Sequence, residues 1–356
     1  MSSLTPHSAT LHVGLKSLAP SGHLHYSDYL TTLITLTTIM KTLTVIIPCF
    51  NEELVIGECH RRVKNVLDAL PNPSEIIYIN DGSRDKTGTL LDGIAEADPQ
   101  VKVLHFSRNF GHQPAVTAGI NHCQSDLAVI LDADLQDPPE LIPAILETQR
   151  AEEANVVYCV RKSRAGEGRF KLLSAKLFYR TMNWMSEVNF PLDAGDFRLI
   201  DRKVIDEFNH LREKGKYIRG LISWVGFKQV PFYYEREARF AGDTKYPLGK
   251  MIGFASNAML YFSKKPLKMA MGLGFLAVMV GLVMAVWFTL GKIYGFSHAE
   301  SGWTSIITTI IFFGGVQLIT VGVLGQYIGI LFDEIKSRPE YIIDRKSNVS
   351  NPPSTH

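Results

Sequence analysis

The chain has 356 residues, with 37 Lys or Arg against 35 Asp or Glu and a formal charge of +2. That length allows two or more domains, and the near-neutral charge, with no dense basic run interleaved with aromatics, argues against a nucleic-acid-binding role. The four cysteines, Cys49, Cys59, Cys123 and Cys159, lack Cys-x-x-Cys spacing and sit in apolar patterns, which points to buried free thiols in a reducing compartment rather than a zinc site.

The first 39 residues hold 13 Ser or Thr, only Lys16 and Asp28 as charges and no apolar run of signal-peptide type, so they read as a disordered extension. Met40 immediately precedes the first clear strand and is expected to be the natural start, which the intact mass of natively expressed protein checks. Residues 43–47 form a β-prone run stopped by Pro48. Asn51-Glu52-Glu53 then opens a helix in which Val55, Ile56, Cys59, Val63, Val66, Leu67 and Leu70 follow the 3.6 period. Residues 76–79 are a second strand, closing on Asn80-Asp81-Gly82-Ser83, with Asp85 and Thr87 supplying turn and capping chemistry. Residues 101–106 are a third, followed by Ser107-Arg108-Asn109-Phe110-Gly111-His112 and a small-residue helix from about Pro114. Residues 127–131 and 156–160 are the fourth and fifth. This alternation predicts an α/β domain with a Rossmann-like, mainly parallel sheet built from right-handed βαβ crossovers, its polar clusters gathered along one edge.

The fourth strand runs directly into Asp132, Asp134 and Asp137 before Pro138 and Pro139. Strand carboxyl ends form the ligand crevice of an open α/β sheet, so an Asp-x-Asp there can hold a divalent cation that bridges a substrate diphosphate. A solvated acidic turn starting a helix at the two prolines is the alternative. Asp81 also follows a strand end, where a carboxylate can accept hydrogen bonds from a ribose or a base. No Gly-x-Gly-x-x-Gly follows the first strand and no Gly-Lys-Ser/Thr loop occurs, which removes support from dinucleotide redox chemistry and P-loop phosphoryl transfer.

Residues 269–290 and 302–332 contain no charged side chain and reach the ~20 residues needed to cross a bilayer, so both are predicted as transmembrane helices, with buried core helices as the alternative. Over 247–268 the lysines Lys250, Lys264, Lys265 and Lys268 mix with apolar residues, as in helices lying at a membrane interface; packing on the α/β domain alone is the other reading. Cations flank the outer ends of the pair, Lys264, Lys265 and Lys268 before it and Lys336, Arg338, Arg345 and Lys346 after it. The connecting loop offers only Lys292, so the positive-inside rule places both ends in the cytoplasm. Gly314, Gly315, Gly322, Gly325 and Gly329 permit close helix packing, within one chain or in a homo-oligomer.

Four segments occur in order: Val45-Ile46-Ile47-Pro48-Cys49-Phe50-Asn51-Glu52, Asn80-Asp81-Gly82-Ser83-Arg84-Asp85, Ser107-Arg108-Asn109-Phe110-Gly111-His112 and Asp132-Ala133-Asp134-Leu135-Gln136-Asp137-Pro138-Pro139-Glu140. Together with the two spans they resemble the family 2 inverting glycosyltransferases of GT-A fold, and within them the polyprenyl-phosphate glycosyltransferases, such as bactoprenol glucosyltransferases and dolichol-phosphate mannose synthases. The resemblance covers about residues 41–345. It implies that Pro48, Phe50, Glu52 and Asp81 line the nucleotide pocket, and that Asp132, Asp134 and Gln136 surround Mg²⁺ or Mn²⁺ and the diphosphate. Phe50 stands where some relatives have tyrosine and Asn80 where many have aspartate, which leaves the base open.

The same resemblance points to Arg161, Arg169 and Ser174, in and after the basic stretch 161–171, for the acceptor phosphate. A solvated basic loop, or attraction to anionic lipid, is the alternative. Asp196 and Arg198, in Gly195-Asp196-Phe197-Arg198, are implied beside the sugar, with Asp196 joining Asp132, Asp134 and Gln136 as catalytic; a structural ion pair between Asp196 and Arg198 is the competing reading. Arg239 and Lys245 are implied at the donor diphosphate, against a reading as plain surface charges.

The implied reaction is inverting transfer of one sugar from a nucleotide diphosphate sugar, with UDP-glucose as leading donor, to undecaprenyl phosphate at the cytoplasmic face of the bacterial inner membrane. UDP-N-acetylhexosamine, a UDP-aminoarabinose derivative and GDP-mannose stay open as donors. A processive polysaccharide synthase loses support because Gln-x-x-Arg-Trp is absent and two spans are few for an export channel. A silent nucleotide-binding membrane scaffold loses support because Asp132, Asp134 and Gln136 are intact. The implied layout is a GT-A domain over 40–246, interfacial helices over 247–268, spans at 269–290 and 303–332, and a cytoplasmic tail over 333–356.

Overall fold

The segment Leu-Thr-Val-Ile-Ile-Pro-Cys is buried without a break, Thr44 included, because both faces of its strand, β1 (Leu43–Cys49), are covered. The structure is a computed structural model that describes residues 41–161, 194–235, 265–294 and 302–349. After β1 come α1 (Ile56–Ala69), β2 (Ser74–Asn80), α2 (Thr87–Ala97), β3 (Val101–Phe106), α3 (His112–His122) and β4 (Leu127–Ile130). Then follow a 3-10 turn (Pro139–Leu141), α4 (Ile142–Ala151), β5 (Val156–Arg161), β6 (Ala194–Asp201), α5 (Arg202–His210), α6 (Ile218–Val225) and β7 (Gln229–Tyr234). Two long helices, α7 (Lys265–Tyr294) and α8 (Gly302–Ile335), precede a last strand, β8 (Ile343–Ser347).

The sheet order is β7-β5-β6-β4-β1-β2-β3-β8. β4, β1, β2 and β3 are parallel, as the strand–helix alternation predicts. The fifth predicted strand does not join β4 directly. Antiparallel β6 lies between β4 and β5, and β5 pairs in parallel with β7. Side chains alternate across the sheet: Val45, Ile47 and Tyr78 pack with Ile56, Cys59, Leu91 and Ile142 on one face. Ile46, Ile77 and Ile79 pack with Val116, Ile120, Ile205 and Leu221 on the other. Helix α3 approaches β1 closely, and a Cβ at Gly119 would lie 2.2 Å from Ile46 Cγ2, so only glycine fits there. All four cysteines are buried and free.

Helix α1 begins at Ile56 rather than at Asn51, because residues 51–53 are tied to the β2–α2 turn. Asn51 takes a left-handed φ of 53°. Its N–H donates to Ser83 Oγ (3.0 Å), and its Oδ1 accepts from Arg84 N–H (2.9 Å). Glu52 N–H donates to Thr87 Oγ1 (2.8 Å), while Glu53 Oε2 accepts from Lys86 N–H (3.0 Å). The predicted apolar stripe still faces inward, with Val55, Ile56, Cys59, Val63 and Leu67 buried.

Windows of 18 residues in α7 (Leu267–Met284) and 27 in α8 (Thr309–Ile335) are long and apolar enough to cross a membrane, and only 11% and 0% of them are buried. Large side chains such as Met271, Phe275, Leu318 and Phe332 are exposed. This exposure disfavours the core-helix reading, since a core helix buries its large apolar side chains. Lys265 and Lys268 form the start of α7. The rest of the expected interfacial segment, 247–264, lies outside the described residues, as do residues 1–40.

Strand β8 was not anticipated. It pairs antiparallel with β3, Leu104 opposite Lys346 and His105 opposite Arg345, so the chain beyond α8 completes the sheet that begins at residue 43. Arg345 Nη2 lies 2.7 Å from Asp92 Oδ2, and Lys346 Nζ lies 3.3 Å from His122 Nε2. Both cations expected at a membrane surface are therefore engaged by the α/β domain.

Candidate active site

Adjacent parallel strands bring their carboxyl ends together, and the crevice beside β1 and β4 lies where the order of strands reverses. Pro48 is buried within β1, and Phe50 and Glu52 follow its end. Asp132 lies just beyond β4. On the next strand Arg198 is level with Ile130, and continuing that antiparallel register puts Asp196 level with Asp132.

Asp196 is the hub. Its Oδ1 is 2.7 Å from Arg219 Nε, and its Oδ2 is 3.0 Å from Arg219 Nη2 and 3.1 Å from His112 Nε2. His112 Nε2 is also 3.8 Å from Asp132 Oδ1. Burial opposes charge on Asp196, but Arg219 and His112 outweigh it and hold the carboxyl well below the usual range. Burial likewise opposes the His112 cation, yet Asp132 and Asp196 raise it to about 9. Burial pushes Asp132 up to about 6; His112 works against the rise, while Asp196, Asp137 and Asp134 add to it. Arg198 does not form the carboxylate pair offered as a competing reading. Its Nη2 donates to Gly195 O (2.9 Å) and its Nε to the backbone carbonyl of Asp196 (3.4 Å), and burial brings it down to about 10.

The loop carrying the Asp-x-Asp is locally constrained. Gln136 N–H donates to Asp134 Oδ1 (3.1 Å). Leu135 between them has a φ of 58° and is buried, a conformation a non-glycine residue keeps only when its surroundings enforce it. Glu140 receives a two-pronged contact from Arg62 of α1, at 2.8 and 2.6 Å. Asp137 accepts a short hydrogen bond from Tyr234 Oη, and Arg161 Nη2 lies 3.8 Å from its Oδ1. Arg161 Nε also donates to Tyr234 Oη (3.3 Å), so this predicted phosphate ligand is held between Tyr234 of β7 and Asp137.

Asp81 is used internally. Its Oδ1 accepts from Phe110 N–H (2.7 Å), and its Oδ2 accepts from Gly111 N–H and Asn109 Nδ2 (both 2.9 Å). It thereby holds the loop that delivers His112. Gly82, at a φ of +61°, lets the two turns touch, since a Cβ there would lie 2.3 Å from Arg108 C. Arg169, Ser174, Arg239 and Lys245 lie outside the described residues.

Among the described residues no group of three or more His, Cys, Asp or Glu side chains converges as a metal cage. Mg²⁺ commonly takes one or two carboxylates plus substrate phosphates rather than an all-protein cage. Asp132 and Asp134 supply hard oxygen donors of that kind, and the carboxylate crowding at Asp132 favours a cation beside it. The donor set fits a divalent ion shared with a diphosphate.

Neither His112 nor Arg219 is among the residues the sequence points to. His112 lies at the end of the segment 107–112, directly after Gly111; Arg219 has no local signal, because only the packing of α6 brings it to Asp196.

The model of the family described as "Glycosyl transferase family 2" matches residues 44–208. A Bacillus subtilis (strain 168) protein named uncharacterized glycosyltransferase YkcC is 44% identical over 308 residues, covering 86% of this chain and 95% of that one. The SfII prophage-derived bactoprenol glucosyl transferase of Shigella flexneri is 36% identical over 310 residues, covering 87% and 99%. Among solved structures, glucosyl-3-phosphoglycerate synthase from Mycobacterium tuberculosis, in complex with Mn²⁺, UDP-glucose and phosphoglyceric acid, aligns with 68% of this chain and 83% of that one at 19% identity and a TM-score of 0.42.

Proposed function

We propose, on the premise that this chain belongs to glycosyl transferase family 2, that it transfers one sugar from a nucleotide diphosphate sugar to a polyprenyl phosphate at a membrane surface. The observation that carries this reading is the meeting of Asp132 and Asp196 at one sheet edge, in a chain that also presents two exposed apolar helices of membrane-crossing length. The likeness to a bactoprenol glucosyl transferase over nearly that protein's whole length supports a polyprenyl phosphate as acceptor and glucose as sugar. UDP-glucose is the leading donor, with undecaprenyl phosphate as acceptor.

A phosphate monoester oxygen is already anionic near neutral pH, so the site needs no strong general base. It has to align that oxygen with the anomeric carbon and stabilise charge developing on the leaving diphosphate. In-line attack inverts the anomeric centre. Asp132, Asp134 and Gln136 are the residues that would hold Mg²⁺ or Mn²⁺, and such an ion supplies Lewis-acid stabilisation of the diphosphate when bound. Asp196, fixed by Arg219, orients His112 and faces the sugar. The imidazolium of His112 adds positive charge on the Asp132 side of the cleft. Pro48, Phe50 and Glu52 form the nucleotide end, and Asp81 shapes it through the loop it holds. Arg161, with Arg169 and Ser174, receives the lipid phosphate, and Arg239 and Lys245 the donor diphosphate.

The α/β domain and both termini lie on the cytoplasmic side of a bacterial inner membrane in this account, supported by Lys264, Lys265, Lys268, Lys336 and Arg338 at the outer helix ends. Assembly as a homo-oligomer is compatible with the glycines of α8. The test is release of nucleoside diphosphate from a panel of nucleotide sugars, with and without undecaprenyl phosphate. Release that depends on the lipid and on one donor supports the reading; release equal with and without lipid contradicts it.

A further inference from the structure

The chain leaving α8 returns to the part of the domain that builds the site. Glu334, in the last turn of α8, accepts from Lys214 N–H (2.7 Å) in the segment leading to α6, and α6 carries Arg219. Ile218, the first residue of α6, donates its N–H to Gln113 Oε1 (2.9 Å), next to His112. Six residues beyond α8, the Tyr341 ring stacks on Phe106 at the end of β3, with centroids 5.1 Å apart and planes at 9°. Phe106 meets Phe110 edge-on at 5.7 Å. Ile342 O accepts from Ser107 N–H (3.0 Å). The Tyr341 hydroxyl accepts from Asn121 Nδ2 (3.0 Å), on the helix whose first residue is His112.

These contacts surround the loop 107–111. From inside, Asp81 holds its Phe110 and Gly111 amides; from outside, Tyr341 and Ile342 hold its base. Nothing in this arrangement places Tyr341 against the reacting groups, yet it bears on the loop that sets His112 toward Asp196 and Asp132.

We infer that Tyr341 is a positioning residue, which seats the segment leaving the second apolar helix against the loop 107–111 and so fixes His112 in the Asp196 cluster. The geometry of the catalytic cleft then depends on a residue more than two hundred positions away in sequence, on the strap that follows the membrane-length helix. The site is correctly built when the strap is docked. Its consequence for turnover rests on the transferase reading above; its structural half does not.

The test uses the full chain in detergent or nanodiscs, with Tyr341→Ala, Tyr341→Phe and Asn348→Ala. Asn348 anchors the far end of the strap, donating to Ala95 O (2.6 Å) and Val101 O (3.0 Å), and does not touch the loop. Backbone hydrogen exchange over 107–112 and the split between kcat and KM for the nucleotide sugar are read together. Tyr341→Ala is expected to raise exchange over 107–112 at least tenfold and lower kcat by ~10²-fold, the scale of a small misplacement of reacting groups, with donor KM little changed. Tyr341→Phe keeps the stacked ring and should restore slow exchange and turnover. Asn348→Ala should raise exchange in β8 alone.

Should Tyr341→Ala fail to fold, Tyr341→Leu keeps apolar bulk without the flat stacking face and is expected to show the same pattern more weakly. Exchange over 107–112 unchanged in folded Tyr341→Ala or Tyr341→Leu overturns the inference. So does a loss of kcat that Asn348→Ala reproduces in full. If the wild type transfers no sugar from any donor, the transferase reading fails, and the exchange measurement still decides the role of Tyr341.

Discussion

Arg219 grips Asp196 with two nitrogens, Nε on Oδ1 at 2.7 Å and Nη2 on Oδ2 at 3.0 Å, and leaves the Oδ2 edge in contact with His112 as well. The Asp196 side chain is 13% exposed and the Arg219 side chain 34%. Removing the cation therefore strands a largely buried charge. Arg219→Ala is expected to lower stability by about 2–4 kcal/mol, the cost of breaking a buried pair reduced for the partial exposure of the arginine. Arg219→Lys keeps the charge without the planar fork and should lose less stability but most of the transfer rate. Urea midpoints and lipid-dependent turnover check both, and a fully active Arg219→Ala would refute the role given to the pair.

The Asp-x-Asp should make turnover metal-dependent. Chelation is expected to abolish transfer, and Mg²⁺ or Mn²⁺ to restore it, whereas Asp134→Asn should stay inactive with either ion and melt within a few degrees of wild type. Calorimetric titration of Mn²⁺ in the presence of nucleoside diphosphate reads the loss of metal affinity without any need for turnover. Equal affinity in wild type and Asp134→Asn would move the metal elsewhere.

Gly82 is expected to tolerate no side chain. Alanine there meets a left-handed φ of +61° and backbone atoms of Arg108 and Asn109 at 2.3 and 2.5 Å, so one of the two turns has to move. Gly82→Ala should cost roughly 1–3 kcal/mol, the range for enforced backbone strain. It should also loosen the amides that Asp81 accepts, which hydrogen exchange at Phe110 and Gly111 would register.

Three histidines should each cost the fold stability as pH falls below 6.5. Burial pushes His60, His105 and His122 below the ordinary value of 6.5, with Asp98, Asp92 and the Ala118 carbonyl only partly offsetting it. The unfolded chain accepts protons near 6.5 that these folded imidazoles refuse, so their contribution to stability is full above that value and is lost as pH falls through their lower folded values. His122 also faces Lys346 at 3.3 Å, which favours its neutral form. The thermal midpoint of His122→Gln should gain on that of wild type as pH falls below 6.5, because the variant lacks one of these imidazoles. A difference between the two midpoints that does not change with pH would show that the His122 imidazole is not held neutral.

The parallel half of the sheet was legible because β1, β2, β3 and β4 are short apolar runs closed by polar turns, and buried parallel strands leave that signature. β6 was harder. Its residues alternate around Asp196 and Arg198, but only the tertiary pairing reveals that it separates β4 from β5. The Asp-x-Asp and Asp196 could be picked out because each belongs to a recognisable local segment. Arg219 and Tyr341 could not, since each acts through a contact with a residue distant in sequence: Arg219 with Asp196, and Tyr341 with Phe106. Strand β8 follows a long apolar helix with Arg345 and Lys346 in its middle, and those cations read as membrane-facing until Asp92 and His122 are seen opposite them. The α1 start was misplaced by five residues for a similar reason: Asn51 and Glu53 have capping chemistry, but they use it on the neighbouring turn.

The most direct single measurement is one-turnover transfer of radiolabelled sugar from UDP-glucose to undecaprenyl phosphate by the purified chain with Mg²⁺, run beside Asp134→Asn and extracted into organic solvent. The account predicts label in the lipid phase with wild type and none with the variant. Label in the lipid phase at equal rates from both proteins, or label that stays aqueous with wild type under every nucleotide sugar tried despite measurable nucleotide binding, would contradict it.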